Sequence, residues 1–216
     1  MNPDILRRMR EDWDARARED AKEYIAAGLT DDLMFPLSGL QDCYHLLEDI
    51  YPHLGKDSRV LEIGCGIGRM LRFLALLFPE VHGIDVSPEM IQRAQAYLAQ
   101  FPNVTAAVGD GRSLAPYADD YFDLVFSYQV FQHIPEEAVI RSYVDEARRV
   151  LRPRGIFKGL VKVRDWEGEP ATKETWNGVS ITEDDVSRWL DETGFVKLNA
   201  YSLDPYLVSL VLQAPE

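Results

Sequence analysis

The sequence predicts an α/β fold in which helices cover both faces of a mainly parallel β-sheet. From residue 59 onward, short β-rich runs alternate with longer segments of helical periodicity, which is typical of strands joined by helical crossovers. The last two β-rich runs are joined by only a short Leu-Asp-Pro turn. Because a parallel return needs a long crossover, these two strands must be antiparallel. We therefore expect a mixed sheet with one reversed strand near its end.

The N-terminal segment is predicted to form two helices that precede the sheet. Apolar residues recur every four positions from Ile5 to Ala17, which indicates a helix over residues 4–27 with Gly28 as its C-cap. A second helix is expected to begin at Ser38, where Ser-x-x-Gln matches a capping box, and to end at Pro52.

The remaining elements alternate along the chain. Strands are expected at residues 59–63, 81–85, 104–108, 122–127, 156–163, 196–201 and 206–212. A helix should follow the first strand as far as residue 78, and Ser87-Pro88 should start another that continues to residue 99. Pro135 opens a helix that extends to about residue 151. Thr182 begins the last helix with a capping box, and Gly194 ends it.

Composition and charge exclude several classes of partner. The chain has 216 residues and a net charge of −13, which disfavours nucleic acids and anionic membranes because both are bound through Lys and Arg. Cys43 and Cys65 are too few for a disulfide scaffold, so we expect a reduced, cytoplasmic protein. The charged N-terminus lacks the apolar stretch of a signal peptide, and no apolar run is long enough to cross a bilayer. No metal site is predicted, because no Cys/His spacing fits zinc.

A glycine-rich loop follows the first strand in the stretch Val-Leu-Glu-Ile-Gly-Cys-Gly-Ile-Gly-Arg. Gly64, Gly66 and Gly68 lie where a ligand can approach the backbone closely, and Glu62 precedes them at the end of the strand. A dinucleotide fingerprint would place its third glycine one residue later, at Arg69. Such a turn alone is weak evidence for a cofactor loop.

Two further acidic residues follow the next two strands. Asp85 lies 23 residues beyond Glu62, at the tip of the second strand, where a carboxylate can accept hydrogen bonds from both hydroxyls of a ribose. Its alternative role is to start the turn into the next helix. Asp110, between Gly109 and Gly111, follows the third strand and could accept a hydrogen bond from an adenine amino group, although alone it would be an ordinary turn. Together these strand ends predict a nucleoside site.

Five motifs resemble those of the class I S-adenosylmethionine-dependent methyltransferases. They are VLEIGCGIGRM, VHGIDVSPEMI, VGDGRSL, FDLVFSYQVFQHIP and VLRPRGIF, and the match covers about residues 60–163. The resemblance implies a three-layer Rossmann-like sandwich with a seven-stranded sheet of order 3-2-1-4-5-7-6, strand 7 antiparallel, and extra N-terminal helices. It implies a single domain over residues 1–216, with a helical lid at 1–55 and the core at 56–216. Arg154 departs from the family, which often has glycine there.

The resemblance also implies S-adenosylmethionine as cofactor and S-adenosylhomocysteine as its product. The glycine loop would surround the methionine moiety, Asp85 would hold the ribose, Asp110 would hold adenine, and Ser127 and Tyr128 would line the sulfonium region. The cofactor-binding residues so implied are Glu62, Gly64, Cys65, Gly66, Gly68, Asp85, Val86, Asp110, Gly111, Arg112, Ser127 and Tyr128. Because a sulfonium already activates its methyl group, transfer needs mainly an aligned nucleophile and, for oxygen or nitrogen, a general base.

His133 is the candidate general base, because it follows the fourth strand at the mouth of the expected site. The alternative is a histidine that caps or packs against the next helix. Trp13 and Tyr24 share one face of the first helix and either cover a substrate or pack against other helices. Trp166 and Trp176 lie in a long polar loop and either cover a substrate or anchor the loop. The candidate substrate residues are Trp13, Tyr24, Tyr128, Gln132, His133, Trp166 and Trp176.

The leading hypothesis is methyl transfer to an O, N or C nucleophile of a small molecule. Tyr128-Gln-Val-Phe131 stands where an amino-methylating DNA or RNA enzyme would carry Asn/Asp-Pro-Pro-Tyr/Phe, so nucleic acid is not the expected substrate. One alternative is a nicotinamide-dependent oxidoreductase, although the early third glycine and Asp110 argue against it. Another is a non-catalytic protein that binds S-adenosylmethionine. The oligomeric state is not predicted.

Overall fold

The sheet has seven strands, in a computed structural model that describes residues 3–163 and 175–216. The strands are β1 (Arg59–Ile63), β2 (Glu80–Asp85), β3 (Val104–Val108), β4 (Phe122–Ser127), β5 (Leu151–Lys162), β6 (Val196–Ser202) and β7 (Leu207–Gln213). Their order is β3-β2-β1-β4-β5-β7-β6. β7 is antiparallel to both β5 and β6, whereas the other pairs are parallel. The predicted fold class and sheet order are confirmed.

Helices flank the sheet and precede it. They are α1 (Pro3–Ile25), α2 (Met34–Leu47), α3 (Leu71–Leu74), α4 (Pro88–Tyr97), α5 (Glu137–Val150) and α6 (Glu183–Thr193). Ser87 caps α4 by accepting a hydrogen bond from the Met90 amide, and Thr182 forms the expected capping box of α6. Gly194 ends α6 in the left-handed conformation that a C-cap requires. No helix among the described residues is long and apolar enough to cross a membrane.

The predicted start of α2 at Ser38 is wrong, because this helix begins at Met34. The Asp31 carboxylate supplies the turn before it, accepting hydrogen bonds from the Leu33 and Met34 amides at 2.9 and 2.8 Å. Ser38 lies inside the helix, where its hydroxyl donates to the Phe35 carbonyl oxygen. The helix ends at Leu47, before the predicted end at Pro52, which lies instead in a short 3-10 helix over Tyr51–His53.

Other predicted boundaries also needed correction. α1 is interrupted at Asp20, whose φ of −160° and ψ of 94° are not helical. The helix after the glycine loop is only four residues long. In the turns that follow this helix, the side-chain amide of Asn103 donates hydrogen bonds to the carbonyl oxygens of Ala75 and Phe78. β5 begins at Leu151 because that residue pairs with Phe122 across an irregular register.

The hydrophobic core lies on both faces of the sheet and leaves the carboxyl ends of its central strands uncovered by these two clusters. Every residue of the central strand β4 is buried, whereas β6 at the sheet edge is almost wholly exposed. One buried cluster packs α5 and α6 against the sheet, and a second packs α2, α3 and α4 against the opposite face. Because β1, β2 and β4 run parallel, their carboxyl ends meet at one edge, where α1 lies across them.

Candidate cofactor and substrate site

A cavity of about 110 Å³ opens at the carboxyl ends of β1, β2 and β4. The glycine loop and the residues after β2 and β4 form its floor and walls. α1 closes it through Met9, Trp13, Tyr24 and Ile25. The cavity is therefore built by segments that are distant in the sequence and meet at the predicted edge.

Gly64, Cys65 and Gly66 of the glycine loop line one wall of the cavity. Gly64 and Gly66 have φ values of +76° and +52°, a region that residues with a Cβ rarely adopt. A Cβ on Gly64 would collide with Val130, and one on Gly66 would lie 2.8 Å from the Ile25 side chain. Cys65 lines the same wall, whereas Gly68 lies outside the cavity and packs against Leu98. The loop thus packs so closely against Val130 and Ile25 that neither Gly64 nor Gly66 could carry a side chain.

Glu62 is a buried carboxylate at the base of the cavity. The residue is 4% exposed, and its Oε2 atom has no hydrogen-bond partner among the described residues. Burial raises the pKa of Glu62 to about 8, and the charges of Asp85 and Asp42 add to the rise while Arg69 opposes it. An unsatisfied carboxylate in a cavity wall is costly unless a ligand supplies a donor.

Asp85 organises the loop as well as lining the cavity. One carboxylate oxygen accepts a hydrogen bond from the Gly66 amide and the other from the Ser87 amide, both at 2.9 Å. Burial raises the pKa of Asp85, against the lowering effect of these hydrogen bonds. Val86 follows it in the cavity wall. Asp85 ends β2, at the position predicted for a ribose-binding carboxylate, and the same side chain also starts the turn into α4.

The predicted adenine-binding residues Asp110, Gly111 and Arg112 do not line this cavity. The Asp110 carboxylate accepts hydrogen bonds from the Arg112 and Ser113 amides and from the Ser113 hydroxyl, at 2.7 to 2.9 Å. α1 covers this turn, because Arg10 donates to the Gly109 carbonyl oxygen at 3.1 Å. This turn therefore contacts α1 and lies outside the cavity lining.

The two residues that end β4 and follow it divide between the sheet and the cavity. Ser127 is buried in the sheet, where its hydroxyl donates to the Ile63 carbonyl oxygen, and it does not line the cavity. Tyr128 does line it, and its hydroxyl donates to an Asp42 oxygen at 3.2 Å.

His133 also lines the cavity, and a hydrogen bond fixes the orientation of its ring. Its Nδ1 atom is 2.6 Å from the Trp176 carbonyl oxygen, which can only accept, so Nδ1 carries the proton and Nε2 is an acceptor. Burial lowers the pKa of His133 to about 4, so the ring is neutral near pH 7. The buried Gln132 amide nitrogen is 3.5 Å from Nε2, and Gln132 itself does not line the cavity. His133 lines the cavity, and a neutral imidazole can receive a proton at its unprotonated nitrogen.

Aromatic rings surround His133. Its ring centroid is 5.3 Å from that of Trp13 and 4.9 Å from that of Trp176, and Tyr24 packs edge-on against Trp176. The Arg16 guanidinium lies 4.8 Å above the Trp13 ring. The structure thus brings together Trp13, Tyr24 and Trp176 from two distant segments, whereas Trp166 lies outside the described residues.

Several residues of the site were not expected from the sequence. Arg69 lines the cavity and forms an ion pair with Asp42 at 2.6 Å. Asp14 reaches from α1 to the start of α4, where it accepts hydrogen bonds from the Ser87 hydroxyl and the Glu89 amide. Only Arg69 carried a sequence signal, as the residue in place of a third glycine. Within the described part of the chain, no three His, Cys, Asp or Glu side chains are grouped to hold a metal ion.

Residues 61–158 match a family model described as a methyltransferase domain. The chain is similar to 2-methyl-6-phytyl-1,4-hydroquinone methyltransferase of Synechocystis, with 39% identity over 112 residues that make up 50% of this chain and 32% of the relative. It is also similar to malonyl-[acyl-carrier protein] O-methyltransferase of Hahella chejuensis, with 35% identity over 165 residues, 74% of this chain and 54% of the relative. The chain thus spans about a third to a half of these relatives.

A solved structure shows the same fold over most of both chains. Magnesium protoporphyrin IX methyltransferase from Synechocystis, solved with bound S-adenosylhomocysteine, superimposes with a TM-score of 0.69 over 95% of this chain and 97% of that one, at 18% identity. The chain therefore has the same seven-stranded fold as that methyltransferase, and its residues 61–158 match a methyltransferase domain.

Proposed function

We propose that this protein transfers a methyl group from S-adenosylmethionine to a nucleophilic atom of a small molecule. The observation that carries the proposal is a single cavity that holds the glycine loop, the orphaned carboxylate of Glu62, the carboxylate of Asp85 and the acceptor nitrogen of His133. When bound, the cofactor would supply a methyl group already activated by its sulfonium.

The residues of the cavity fit this cofactor chemically. The Glu62 carboxylate is suited to an ammonium group, Gly64 and Gly66 line the cavity without side chains, and Asp85 stands where a ribose diol would be held. We propose that Cys65, Val86 and Tyr128 complete this part of the site. For Asp110, Gly111, Arg112, Gly68 and Ser127 a cofactor role stays a prediction, since they lie outside the cavity lining.

His133 is proposed to receive the proton that the acceptor group loses. The Trp176 carbonyl holds the ring so that Nε2 stays unprotonated, and the low pKa keeps the ring neutral at physiological pH. Trp13, Tyr24 and Trp176 would enclose the acceptor beside it, and Gln132 would contribute through its contact with His133. These aromatic walls favour an acceptor with substantial apolar surface.

The names of the relatives, which include a hydroquinone methyltransferase and a probable tocopherol O-methyltransferase, support an acceptor of small-molecule type. They give no support to a nucleic-acid acceptor, which the net charge of −13 also disfavours. We propose one domain over residues 1–216, with α1 and α2 within the 1–55 lid. The buried free thiols of Cys43 and Cys65 support a reducing, cytoplasmic setting.

The test is transfer of a labelled methyl group to a panel of quinols, phenols and small carboxylic acids, with S-adenosylhomocysteine measured as product. We expect His133→Ala to lower kcat on the accepted substrate by about 100-fold, within the usual range for a general base, while cofactor affinity by calorimetry is unchanged. Arg148→Ala, in the last turn of α5 and outside the cavity lining, is the control for correct folding and for the activity of the preparation.

The outcomes separate the proposal from its alternatives. Tight binding of S-adenosylhomocysteine with no transfer to any acceptor would favour a non-catalytic binding protein, and binding of NAD in its place would favour an oxidoreductase. Because the pKa of His133 is about 4, the wild-type pH profile should show no loss of activity near pH 6.5 from this residue. An unchanged kcat in His133→Ala would reduce His133 to a packing residue.

A further inference from the structure

Thr175 is a buried link between α1 and the segment that precedes α6. The residue is 1% exposed, and its hydroxyl donates to the Asp12 Oδ2 atom at 2.5 Å. The Arg16 Nη1 atom donates to the Thr175 carbonyl oxygen at 3.2 Å and to its hydroxyl oxygen at 3.1 Å. Because Asp12 and Arg16 are four positions apart, they lie on one face of α1. This face therefore holds Thr175 by both its side chain and its backbone.

The residue next to Thr175 supplies the hydrogen bond that orients His133. The Trp176 carbonyl oxygen lies 2.6 Å from Nδ1 of that ring. The Trp176 residue is 40% exposed, and its indole packs against the rings of Trp13 and Tyr24, which both belong to α1. The helix thus holds the residue before the carbonyl and also contacts the side chain of the residue that bears it.

The residues that follow Trp176 lie on the turn after β4. The Gly178 amide donates to the Gln132 carbonyl oxygen at 2.8 Å, and the Val179 amide donates to the Ile134 carbonyl oxygen at 2.9 Å. A Cβ on Gly178 would lie 2.3 Å from the Ile134 carbonyl oxygen, so the two segments are in direct contact. Trp176 itself belongs to no helix or strand. Its carbonyl is therefore placed by its neighbours, with the turn on one side in the chain and α1 on the other.

We propose that Thr175 is a positioning residue through which α1, closed over the cavity, keeps the Trp176 carbonyl on Nδ1 of His133. The inference rests on the proposed function, because it concerns the base that is assigned there. A carbonyl oxygen can only accept, so its presence selects the tautomer with Nδ1–H and leaves Nε2 unprotonated. Without this carbonyl, a neutral imidazole can carry its proton on either nitrogen. Closure of α1 thereby prepares His133 to receive a proton.

The test reads the tautomer of His133 directly by nuclear magnetic resonance, in free protein that contains nitrogen-labelled histidine. The measurement is made at pH 8, where a histidine with an ordinary pKa of about 6.5 is also neutral. The signal of His133 is the one that His133→Ala lacks. Wild-type protein should show Nδ1 protonated and Nε2 unprotonated. Thr175→Val, which removes the hydroxyl and keeps the shape, should show a mixture of both tautomers, and Thr175→Ser should restore the wild-type spectrum.

Thr193→Val is the matched control, because the Thr193 hydroxyl donates to the Trp189 carbonyl oxygen at 2.6 Å, outside the cavity lining. It loses a bonded hydroxyl of the same kind and should keep the wild-type tautomer. On the acceptor that the panel identifies, Thr175→Val should lower kcat by about tenfold, as for one lost hydrogen bond to a charged group. Its affinity for S-adenosylhomocysteine should be unchanged. In a His133→Ala background, Thr175→Val should lower kcat no further, because its effect passes through that ring.

A wild-type tautomer in Thr175→Val would overturn the inference, and so would an equal loss of kcat with and without His133. If Thr175→Val does not fold by circular dichroism, Asp12→Ala is measured in its place, since it removes the acceptor of the same hydroxyl from a partly exposed position. A wild-type tautomer in Asp12→Ala overturns the inference equally. Failure of the proposed function is distinguishable, because it shows as an absence of methyl transfer, whereas the tautomer is read without cofactor or acceptor.

Discussion

At the scale of single residues, the proposed role of Glu62 predicts that cofactor binding depends on pH. With a pKa of about 8 in the free protein, its carboxyl group is mostly protonated at pH 7. A ligand ammonium favours the ionised form, so binding at pH 7 must drive the proton off. Cofactor affinity should therefore rise as the pH increases from 6 to 8, by up to about tenfold per pH unit, because protonated Glu62 cannot pair with the ammonium.

Calorimetric titration with S-adenosylhomocysteine at pH 7, in two buffers of different ionisation enthalpy, measures this proton directly. We expect release of close to one proton per ligand by wild-type protein and almost none by Glu62→Gln. Glu48→Gln, a change at an exposed carboxylate on the outer side of the molecule, serves as the matched control and should behave as wild type. Equal proton release by wild type and Glu62→Gln would contradict the assignment.

The part of the cavity that the glycine loop and the end of β2 form was largely predictable, because its residues adjoin strand ends inside single motifs. Glu62, Gly64, Gly66 and Asp85 are placed by the alternation of strand, loop and helix, and parallel strands bring them to one edge. Asp42 was not predictable, because it reaches Arg69 from a helix that is 27 positions earlier in the chain. Contacts between elements depend on packing that a linear pattern does not encode.

At the scale of whole elements, local chemistry determined what could be predicted. The caps at Ser87, Thr182 and Gly194 rest on hydrogen bonds within a few residues, and they are confirmed. The starts of α2 and β5 rest instead on a turn formed by Asp31 and on pairing with the neighbouring strand. Arg154, where the family often has glycine, has a φ of +64°, so the departure carries backbone strain.

The position of α1, like the starts of α2 and β5, could not be predicted from local sequence, because contacts with distant residues hold this helix over the cavity. Asp14 accepts hydrogen bonds from the Ser87 hydroxyl at 2.5 Å and the Glu89 amide at 3.1 Å, at the N-terminus of α4. The cavity beneath, at about 110 Å³, is smaller than the roughly 300 Å³ at which ligand pockets begin. We therefore expect α1 to move away when cofactor enters and to return when it is bound.

Asp14→Ala should loosen this closure and speed cofactor exchange. Loss of a capping acceptor costs about 1 kcal/mol, which corresponds to roughly fivefold faster dissociation of S-adenosylhomocysteine. Stopped-flow fluorescence can follow the step, because Trp13 on α1 lines the cavity. Glu11→Ala, an exposed change on the same helix, should keep the wild-type rate. A wild-type dissociation rate in Asp14→Ala would show that this contact does not hold α1 closed.

At the scale of the whole molecule, the charge of −13 acts on the cofactor as well as on excluded partners. The excess of 36 acidic over 23 basic side chains produces a negative field that reaches beyond the surface at low salt. S-adenosylmethionine carries a sulfonium, an ammonium and a carboxylate, so it is a net cation, whereas S-adenosylhomocysteine is neutral overall. The field therefore attracts the substrate form of the cofactor and acts much less on the product form.

The association rate of S-adenosylmethionine should accordingly depend on ionic strength. The screening length falls from about 30 Å at 0.01 M to about 3 Å at 1 M salt, so steering is present at the first condition and lost at the second. We expect the stopped-flow association rate of S-adenosylmethionine to fall by at least about threefold between them, while that of S-adenosylhomocysteine stays nearly constant. The neutral ligand controls for any effect of salt on the movement of α1, because both ligands must pass the same helix. If the two rates fell by the same factor, the acidity of the chain would have no part in cofactor capture and would serve only to exclude polyanions.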